Sequence, residues 1–438
     1  MGHINNPGIT PKIIAIVIDI YQLFLYNTFM KRIILTVFLL FTGMAVFSQN
    51  MSFLTEEYMR TDSTFAERLA TLEVVRDSGA TGIGEFYHNA LKFLILRAPD
   101  IRTNTERAAA ERSAVILCEG LAAEKYTAAA GDIWQVVELF DIVRGANDGS
   151  SMRAALIALG QINAVNFVPQ IVQRLNDFNT QPATEPEFRR RAQLTIIGCI
   201  NALEALKDIR GYRPIFFVYV GPYDPPVKEM AFNALPNIVD DPADVLIEII
   251  QEPSSDPRTK LTAWNELLRT RAPNPSKAKV AAAALETGWS YATNNRNFQT
   301  NLRELRKGAI DAIRQFGVSD DSVYTNLEFS YSRNFINSSP DFDEIMLTLN
   351  ALAAVKTEQS IELLHKFLME LHGRRRSGPW ANKERRVFEW VVSCIGTTGT
   401  QSNDIRNLLD LIGRTASYTS QERNMATNAL TALGGPVR

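Results

Sequence analysis

The chain is poor in cysteine and histidine, with three and four of them in 438 residues. It contains no Gly-rich phosphate loop, no Gly-x-Ser-x-Gly and no His-Glu-x-x-His motif. Its formal net charge is −2, so neither sign of charge dominates. No segment alternates apolar and polar residues as a half-buried strand would. The sequence therefore offers no recognisable catalytic constellation, needs no cofactor, and favours an all-α fold.

A short apolar phrase recurs at a fixed interval. Residues 153–160, 191–198 and 229–236 each form an apolar helical stretch closed by Gly or Pro, and their last residues are 38 positions apart. The same kind of phrase ends at Gly396 and again at Gly434, also 38 positions apart. A period of this size is typical of stacked helical repeats, in which each unit buries its apolar face against its neighbours.

Each phrase follows another apolar helical segment, so the predicted unit is a helical hairpin. These first helices are predicted at 132–145, 165–177, 208–219, 242–251, 275–291, 319–332, 357–372 and 402–413. The predicted fold is an α-solenoid of about nine stacked antiparallel helix pairs. Residues 215–220 have strand-favouring side chains, but the repeat requires a helix there, so we predict a short or irregular one.

Two kinds of start signal mark the predicted helices. Thr-x-x-Glu capping boxes begin at Thr64, Thr103, Thr184 and Thr419. A capping side chain followed by proline occurs at Asp224, Asp241, Asp256 and Asn274. The prolines are therefore expected at helix starts and not inside helices.

The stretch from Asp148 to Asp177 resembles HEAT-type repeats. The matching residues are Arg153-Ala154-Ala155, Ala158-Leu159-Gly160 and Ile162, followed by Val168-Pro169, Ile171-Val172, Leu175 and Asp177. They are similar to the family's second helix and the following first helix with its proline. The likeness extends over 131–240 and 382–434 and weakens over 256–356. It implies a HEAT-like superhelix in an exported bacterial member of the family.

The N-terminus predicts export. Met30-Lys31-Arg32 is followed by an apolar core at 33–40, and Val46 and Ser48 have the spacing of a signal-peptide cleavage site. Residues 1–29 are interpreted as an over-extended start, 30–48 as the signal peptide, 49–130 as an N-terminal cap with the first repeats, and 131–438 as the repeat array. A membrane anchor formed by 13–29 and 33–47 is the alternative. The predicted location is the periplasm or cell envelope.

The cysteines and histidines do not form a predicted site. Cys118, Cys199 and Cys394 fall in second helices of different repeats, on the order of 10 Å apart per repeat, which is too far for a disulfide. Glu85-x-x-His88 and Glu362-x-x-His365 have the spacing of carboxylate metal ligands. They lie at opposite ends of the repeat array, so no shared metal site is expected.

Charge clusters supply the candidate binding surface. Seven acidic residues and no basic ones lie between Glu229 and Pro257. Basic residues surround Ser377-Gly378-Pro379-Trp380, which we interpret as a loop between two helices with an exposed tryptophan. The candidate residues are Arg374, Arg375, Arg376, Trp380, Lys383, Arg385 and Arg386, with a smaller run at Arg189, Arg190 and Arg191. Guanidinium groups in such clusters suit carboxylates, phosphates or sugars; a solvated loop and helix starts would have the same composition.

Three functions are consistent with the sequence. The favoured one is an exported, non-enzymatic scaffold that binds a protein or an acidic envelope polymer through the inner face of its solenoid. Membrane contact is expected only through an uncleaved signal segment. The second is a HEAT-like protein that binds nucleic acid through its arginine clusters, against which export and the acidic stretches argue. The third is an envelope enzyme whose site is assembled across repeats.

Overall fold

A computed structural model of the chain describes residues 52–143, 145 and 147–436. Within these residues it contains helices and no β-strand, which confirms the all-α prediction. The predicted signal peptide and the residues before it lie outside the described part. No helix in the described part has the length and apolar character needed to cross a membrane. The chain divides into two compact units, one ending at Ile162 and the other beginning at Asn163.

In the part of the first unit that the structure describes, five α-helices follow a helical segment at 52–59. They are α1 (Phe65–Asp77), α2 (Gly84–Arg97), α3 (Asn104–Ala123), α4 (Ala130–Leu139) and α5 (Ser150–Gln161). Helix α3 contacts α1, α2 and α5, and α4 contacts α2 and α5. The core between them contains Leu117, Val136 and Leu156, all fully buried.

The second unit has fourteen helices among the described residues. They are α6 (Val168–Thr180), α7 (Pro186–Leu206), α8 (Tyr212–Val220), α9 (Pro225–Ile238), α10 (Ala243–Gln251), α11 (Pro257–Arg269), α12 (Asn274–Ser290), α13 (Arg296–Phe316), α14 (Ser322–Ile336), α15 (Phe342–Val355), α16 (Glu358–Ser377), α17 (Asn382–Thr398), α18 (Asn403–Arg414) and α19 (Ser420–Ala432).

These helices form pairs, and the pairs contact one another in a regular way. Each even-numbered helix packs on the odd-numbered helix that follows it, and every even-numbered helix from α6 to α16 also contacts the next even-numbered one. The odd-numbered helices contact their successors from α7 to α9 and from α11 to α19. This alternation matches the predicted hairpin period. The superhelical stacking, the count of nine pairs and the division at residue 130 stay predictions.

Capping explains where many helices begin. Capping boxes are present at Thr64, Thr103 and Thr419, as predicted. The predicted box at Thr184 is wrong, because the Glu185 carboxylate accepts the bonds from the amides of residues 187 and 188 and makes Glu185 the cap.

Of the four predicted capping residues before proline, only Asp256 is the capping residue of its helix and accepts a side-chain bond from it, from the Thr259 amide. The other three predictions are wrong: Asp224 forms no side-chain cap bond, Asp241 is followed by Pro242 as the capping residue, and Asn274 is already inside α12. Pro236 lies inside α9, so the expectation that prolines stay out of helices is wrong as well.

The strand-favouring segment is helical. Residues 212–220 form the nine-residue α8, which buries Ile215, Phe216 and Val218. The helix contacts α6, α9 and α10, so burial of the large side chains on these neighbours outweighs their intrinsic preference for strands. The prediction of a short helix is confirmed here.

Candidate binding surface

A basic residue recurs at the fourth position of many second helices, and in several of them it donates to backbone carbonyls that precede the helix. Lys260 Nζ donates to the Ile250 carbonyl at 2.6 Å, and Arg423 Nη1 donates to the Tyr418 carbonyl at 2.8 Å. Arg189 occupies the same position in α7 and donates from Nε to the Ala183 carbonyl at 3.2 Å. Two predicted binding residues, Arg189 and Arg385, therefore stand at a structural position of the repeat.

The arginine run in α7 is largely engaged within its own helix. Arg190 pairs with Glu187 at 2.9 Å, and the Arg191 guanidinium lies 5.6 Å from the centre of the Phe188 ring. Helix α7 packs on α6 and α9, whereas α16 and α17 pack on helices α14, α15, α18 and α19. The structure therefore does not bring this run together with the larger cluster.

The predicted basic loop is mostly helix, which corrects the sequence interpretation. Arg374, Arg375 and Arg376 lie in the last turn of α16, and residues 383–386 lie in the first turns of α17. Only residues 378–381 connect the two helices. Cations at the end of α16 complement the partial negative charge of its terminal carbonyls, so this placement has a structural reason of its own.

Trp380 is half-buried in an aromatic cluster, so the prediction of an exposed tryptophan is wrong. Its ring lies 4.7 Å from that of Phe388 and 5.4 Å from that of Tyr418. The Arg375 guanidinium lies 5.4 Å from the Trp380 ring and donates to the Ser417 carbonyl. Both residues therefore join α16 to the α18–α19 connection.

His372 completes this cluster. Its Nδ1 shares a hydrogen bond of 2.8 Å with the Tyr418 hydroxyl. Burial, assisted by the positive charge of Arg376, lowers the pKa of His372, and burial raises the pKa of Tyr418. Both side chains are therefore neutral at neutral pH, as a buried hydrogen-bonded pair requires.

Three of the remaining cations lie over aromatic rings. Arg374 lies 4.8 Å and Lys383 5.7 Å from the Phe335 ring, and Lys383 also donates to the Asn337 carbonyl at 3.2 Å. Arg386 lies 4.5 Å from the Phe342 ring and 4.7 Å from the Trp390 ring. Arg385 pairs with Glu422 at 3.3 Å.

The end of α14 adds exposed apolar side chains to these cations. Ile336 is 74% exposed and Phe329 is 43% exposed. Arg333 lies between them in sequence, with its guanidinium 5.6 Å from the Phe329 ring. Together with Ser332 and Asn337 these residues line a shallow depression. We call the α14 surface the set Phe329, Arg333, Ile336, Arg374, Lys383 and Arg386.

Contacts from α16 and α17 to the end of α14 bring these residues together. Lys383 donates to the carbonyl of Asn337, the residue after Ile336, and Arg374 lies over the ring of Phe335, the residue before it. Arg386 is one helical turn beyond Lys383. Within the described residues, Arg333, Arg376 and Arg386 form no ion pair, whereas Arg374 pairs with Glu370 at 2.9 Å. The surface is thus apolar at Ile336 and positive around it.

Sequence reasoning missed Phe329, Arg333 and Ile336. The available signal was that α14 has apolar residues on two faces, since Leu327 and Tyr331 fill the core while Phe329 and Ile336 do not. A helix that needs only one apolar stripe for its core shows a second contact surface in this way.

The histidine motifs do not come together. His88 in α2 hydrogen-bonds Asp132 through Nε2 at 2.7 Å, and His365 in α16 lines an open polar depression with Glu362 and Asp404. Among the described residues, no group of three or more His, Cys, Asp or Glu side chains could hold a metal ion. Cys118, Cys199 and Cys394 are buried free thiols, as predicted.

No protein-family model matches the chain, and no curated protein sequence matches it. The resemblance to HEAT-type repeats therefore rests on the residues quoted from the sequence.

Proposed function

We propose that the chain is an exported HEAT-like binding protein that holds an acidic partner on the α14 surface. The helix pairs would stack as a solenoid that presents this surface rigidly, and the signal peptide at 30–48 would deliver the chain to the periplasm or cell envelope. The observation that carries the proposal is the exposed Ile336 side chain among cations, of which Arg333 and Arg386 form no ion pair in the described structure. Exposed apolar area beside unmatched charge is what a binding surface requires.

Site-specific photocrosslinking in the producing cells tests the proposal. A photoreactive amino acid placed at Ser332, inside the depression, is expected to form discrete adducts in the envelope fraction. The same amino acid placed at Arg258, an exposed position on α11, is the matched control.

The adducts at position 332 should disappear when Arg333 and Arg386 are both changed to Glu, because two of the four charges that attract the partner are then reversed. Equal adduct yields at positions 332 and 258 would show that the α14 surface binds nothing specific. An adduct yield at position 332 that the charge reversal leaves unchanged would show the same.

A further inference from the structure

From the α14 surface we infer that the partner is a polypeptide segment that combines acidic and apolar side chains. This inference rests on the proposed function and names the chemistry of what binds. Its starting point is the spacing of Phe329, Arg333 and Ile336, which are four and then three residues apart on one helix. Such residues share one helix face, and Phe329 and Ile336 are separated by about 10 Å along the axis.

Two apolar side chains about 10 Å apart fit a short peptide better than a point ligand. A partner with apolar side chains two helical turns apart, or at intervals along an extended strand, would cover both Phe329 and Ile336. Between them, Arg333 would meet a side chain of the same peptide. Because the guanidinium is a planar fork of donors, a carboxylate is the group that satisfies it best.

The cations around Ile336 set the charge of the partner. Arg374 and Lys383 both lie over the ring of the buried Phe335, the residue that precedes Ile336. Arg386 follows Lys383 by one turn in α17 and lies over the Phe342 ring. A purely apolar peptide would leave these charges beside a desolvated contact, which costs free energy. Acidic residues flanking the apolar ones remove that cost.

The aromatic rings argue against a sugar polymer or a nucleic acid. Such ligands bind by laying sugar or base faces on open aromatic faces. Here guanidinium groups already cover the rings, with Arg306 3.9 Å from the Trp289 ring and Arg386 4.7 Å from the Trp390 ring. The protein's own arginines therefore compete with such a ligand for stacking on these rings.

The acidic stretch of a second copy does not fit either. Glu248 and Glu252 pair with Arg213, and Asp240 lies 3.8 Å from Arg271. Residues 229–257, all of them described, contain no exposed large apolar side chain. A second copy would thus bring carboxylates of which three already have a basic partner, and no exposed large apolar side chain to cover Ile336.

Selection from a displayed library of random twelve-residue peptides tests the inference on the full chain. Selected peptides are expected to combine Asp or Glu with Leu, Ile, Phe or Trp. In fluorescence anisotropy, Arg333→Glu and Ile336→Ser should each weaken binding of a selected peptide at least tenfold. Arg258→Glu and Leu268→Ser, which make the same changes at exposed sites on α11, should change it less than twofold.

A labelled anionic polysaccharide and a single-stranded oligonucleotide are measured in parallel. The inference fails if the selected peptides lack acidic residues, if no peptide is enriched, or if one of these polymers binds and Arg333→Glu abolishes that binding. The last result would leave the proposed binding role standing with a different partner. Peptide binding that Arg333→Glu and Ile336→Ser leave unchanged would overturn the inference, and failure of the crosslinking test would overturn the proposed function. Circular dichroism of each variant checks that it folds.

Discussion

The buried ion pair between Arg306 and Glu344, with the groups hydrogen-bonded to it, links four helices of the second unit. Arg306 donates from Nε and Nη2 to the two Glu344 carboxylate oxygens at 2.9 and 3.0 Å, and from Nη1 to the Gly288 carbonyl at 3.0 Å. Ser330 donates to Glu344 at 2.7 Å. Glu344 is fully buried, so its charge is compensated only by these groups and cannot be solvated by water instead.

Removing one partner of this pair should therefore be costly. We expect Arg306→Ala to lower the free energy of unfolding by about 3–5 kcal/mol, because it leaves the Glu344 carboxylate buried without its cation. Urea denaturation followed by circular dichroism measures the change.

Arg314 provides the matched control. It pairs with Asp311 at 2.8 Å, but both side chains are exposed, so Arg314→Ala should cost less than about 1 kcal/mol. Equal losses in the two variants would mean that the burial of the Arg306 pair has no energetic consequence.

Glu111 in α3 is a buried acid with little compensation. Its Oε2 accepts one long bond, of 3.4 Å, from the Asp148 amide, and its Oε1 has no hydrogen-bond partner. Burial, with the nearby charge of Asp148 as the second cause, raises the pKa of Glu111 to about 7, and the positive charge of Arg107 opposes this. The folded state therefore binds this proton more tightly than the unfolded chain does.

The first unit should accordingly lose stability as the pH rises from 4.5, the ordinary value for glutamate, to 7. In this window the unfolded chain releases the proton and the folded chain retains it, and the full effect is at most about 3 kcal/mol. Glu111→Gln should remove this part of the pH dependence and stabilise the protein at pH 8. Melting temperatures of both proteins measured from pH 4.5 to 8 check this prediction. If the melting temperature of Glu111→Gln depends on pH as steeply as that of the original chain, Glu111 is not the group responsible.

At the scale of the helix, a basic residue recurs at the fourth position of the second helix of a pair. Arg68, Lys260 and Arg423 each donate to carbonyl groups that precede their helix. These carbonyls lie at or beyond the end of the previous helix and have no intrahelical donor. The side chain thus fixes the connection between the two helices of a pair.

Replacing Lys260 by Met tests this role. Lys260 is buried and holds the Ile250 and Glu252 carbonyls, so Lys260→Met should lower the free energy of unfolding by about 2 kcal/mol or more. Lys228 has the same position in α9 but forms no side-chain hydrogen bond or ion pair with the described residues. Lys228→Met should therefore change the free energy of unfolding by less than about 0.5 kcal/mol. Chemical denaturation compares the free energies of unfolding of the two variants. Equal losses would mean that the hydrogen bonds of Lys260 add no stability.

Helix starts show what local sequence can and cannot predict. The capping boxes at Thr64, Thr103 and Thr419 depend on residues within one turn, and they were predictable. The box at Thr184 failed because Glu185 competes for the same amides one residue later. Which of two adjacent capping side chains is used depends on the path of the preceding connection, and local spacing does not contain that path.

At the scale of the molecule, the alternation of contacting helices was predictable and the α14 surface was not. The 38-residue interval reappears as contacts between corresponding helices, such as Arg303 with Asp341 and Arg306 with Glu344, each 38 positions apart. The α14 surface depends on which cations lie over Phe335 and Phe342, and those contacts join helices from different pairs. Composition identified the cations of α16 and α17, but only tertiary packing separates Arg375, which is engaged internally, from Arg386.

Because the helix pairs of the second unit contact mainly their neighbours, a core substitution should destabilise only the helices near it. Leu409 in α18 and Leu327 in α14 are both fully buried, so Ala at either site should cost about 2–5 kcal/mol locally. In hydrogen-exchange mass spectrometry, Leu409→Ala should accelerate exchange in α18 and α19 and leave α12 and α13 protected. Leu327→Ala should accelerate exchange on both sides of α14, since a central pair supports two neighbours. Acceleration of the whole unit by Leu409→Ala would show instead that the unit unfolds as one cooperative core, and the stacked-repeat interpretation would then lose its energetic basis.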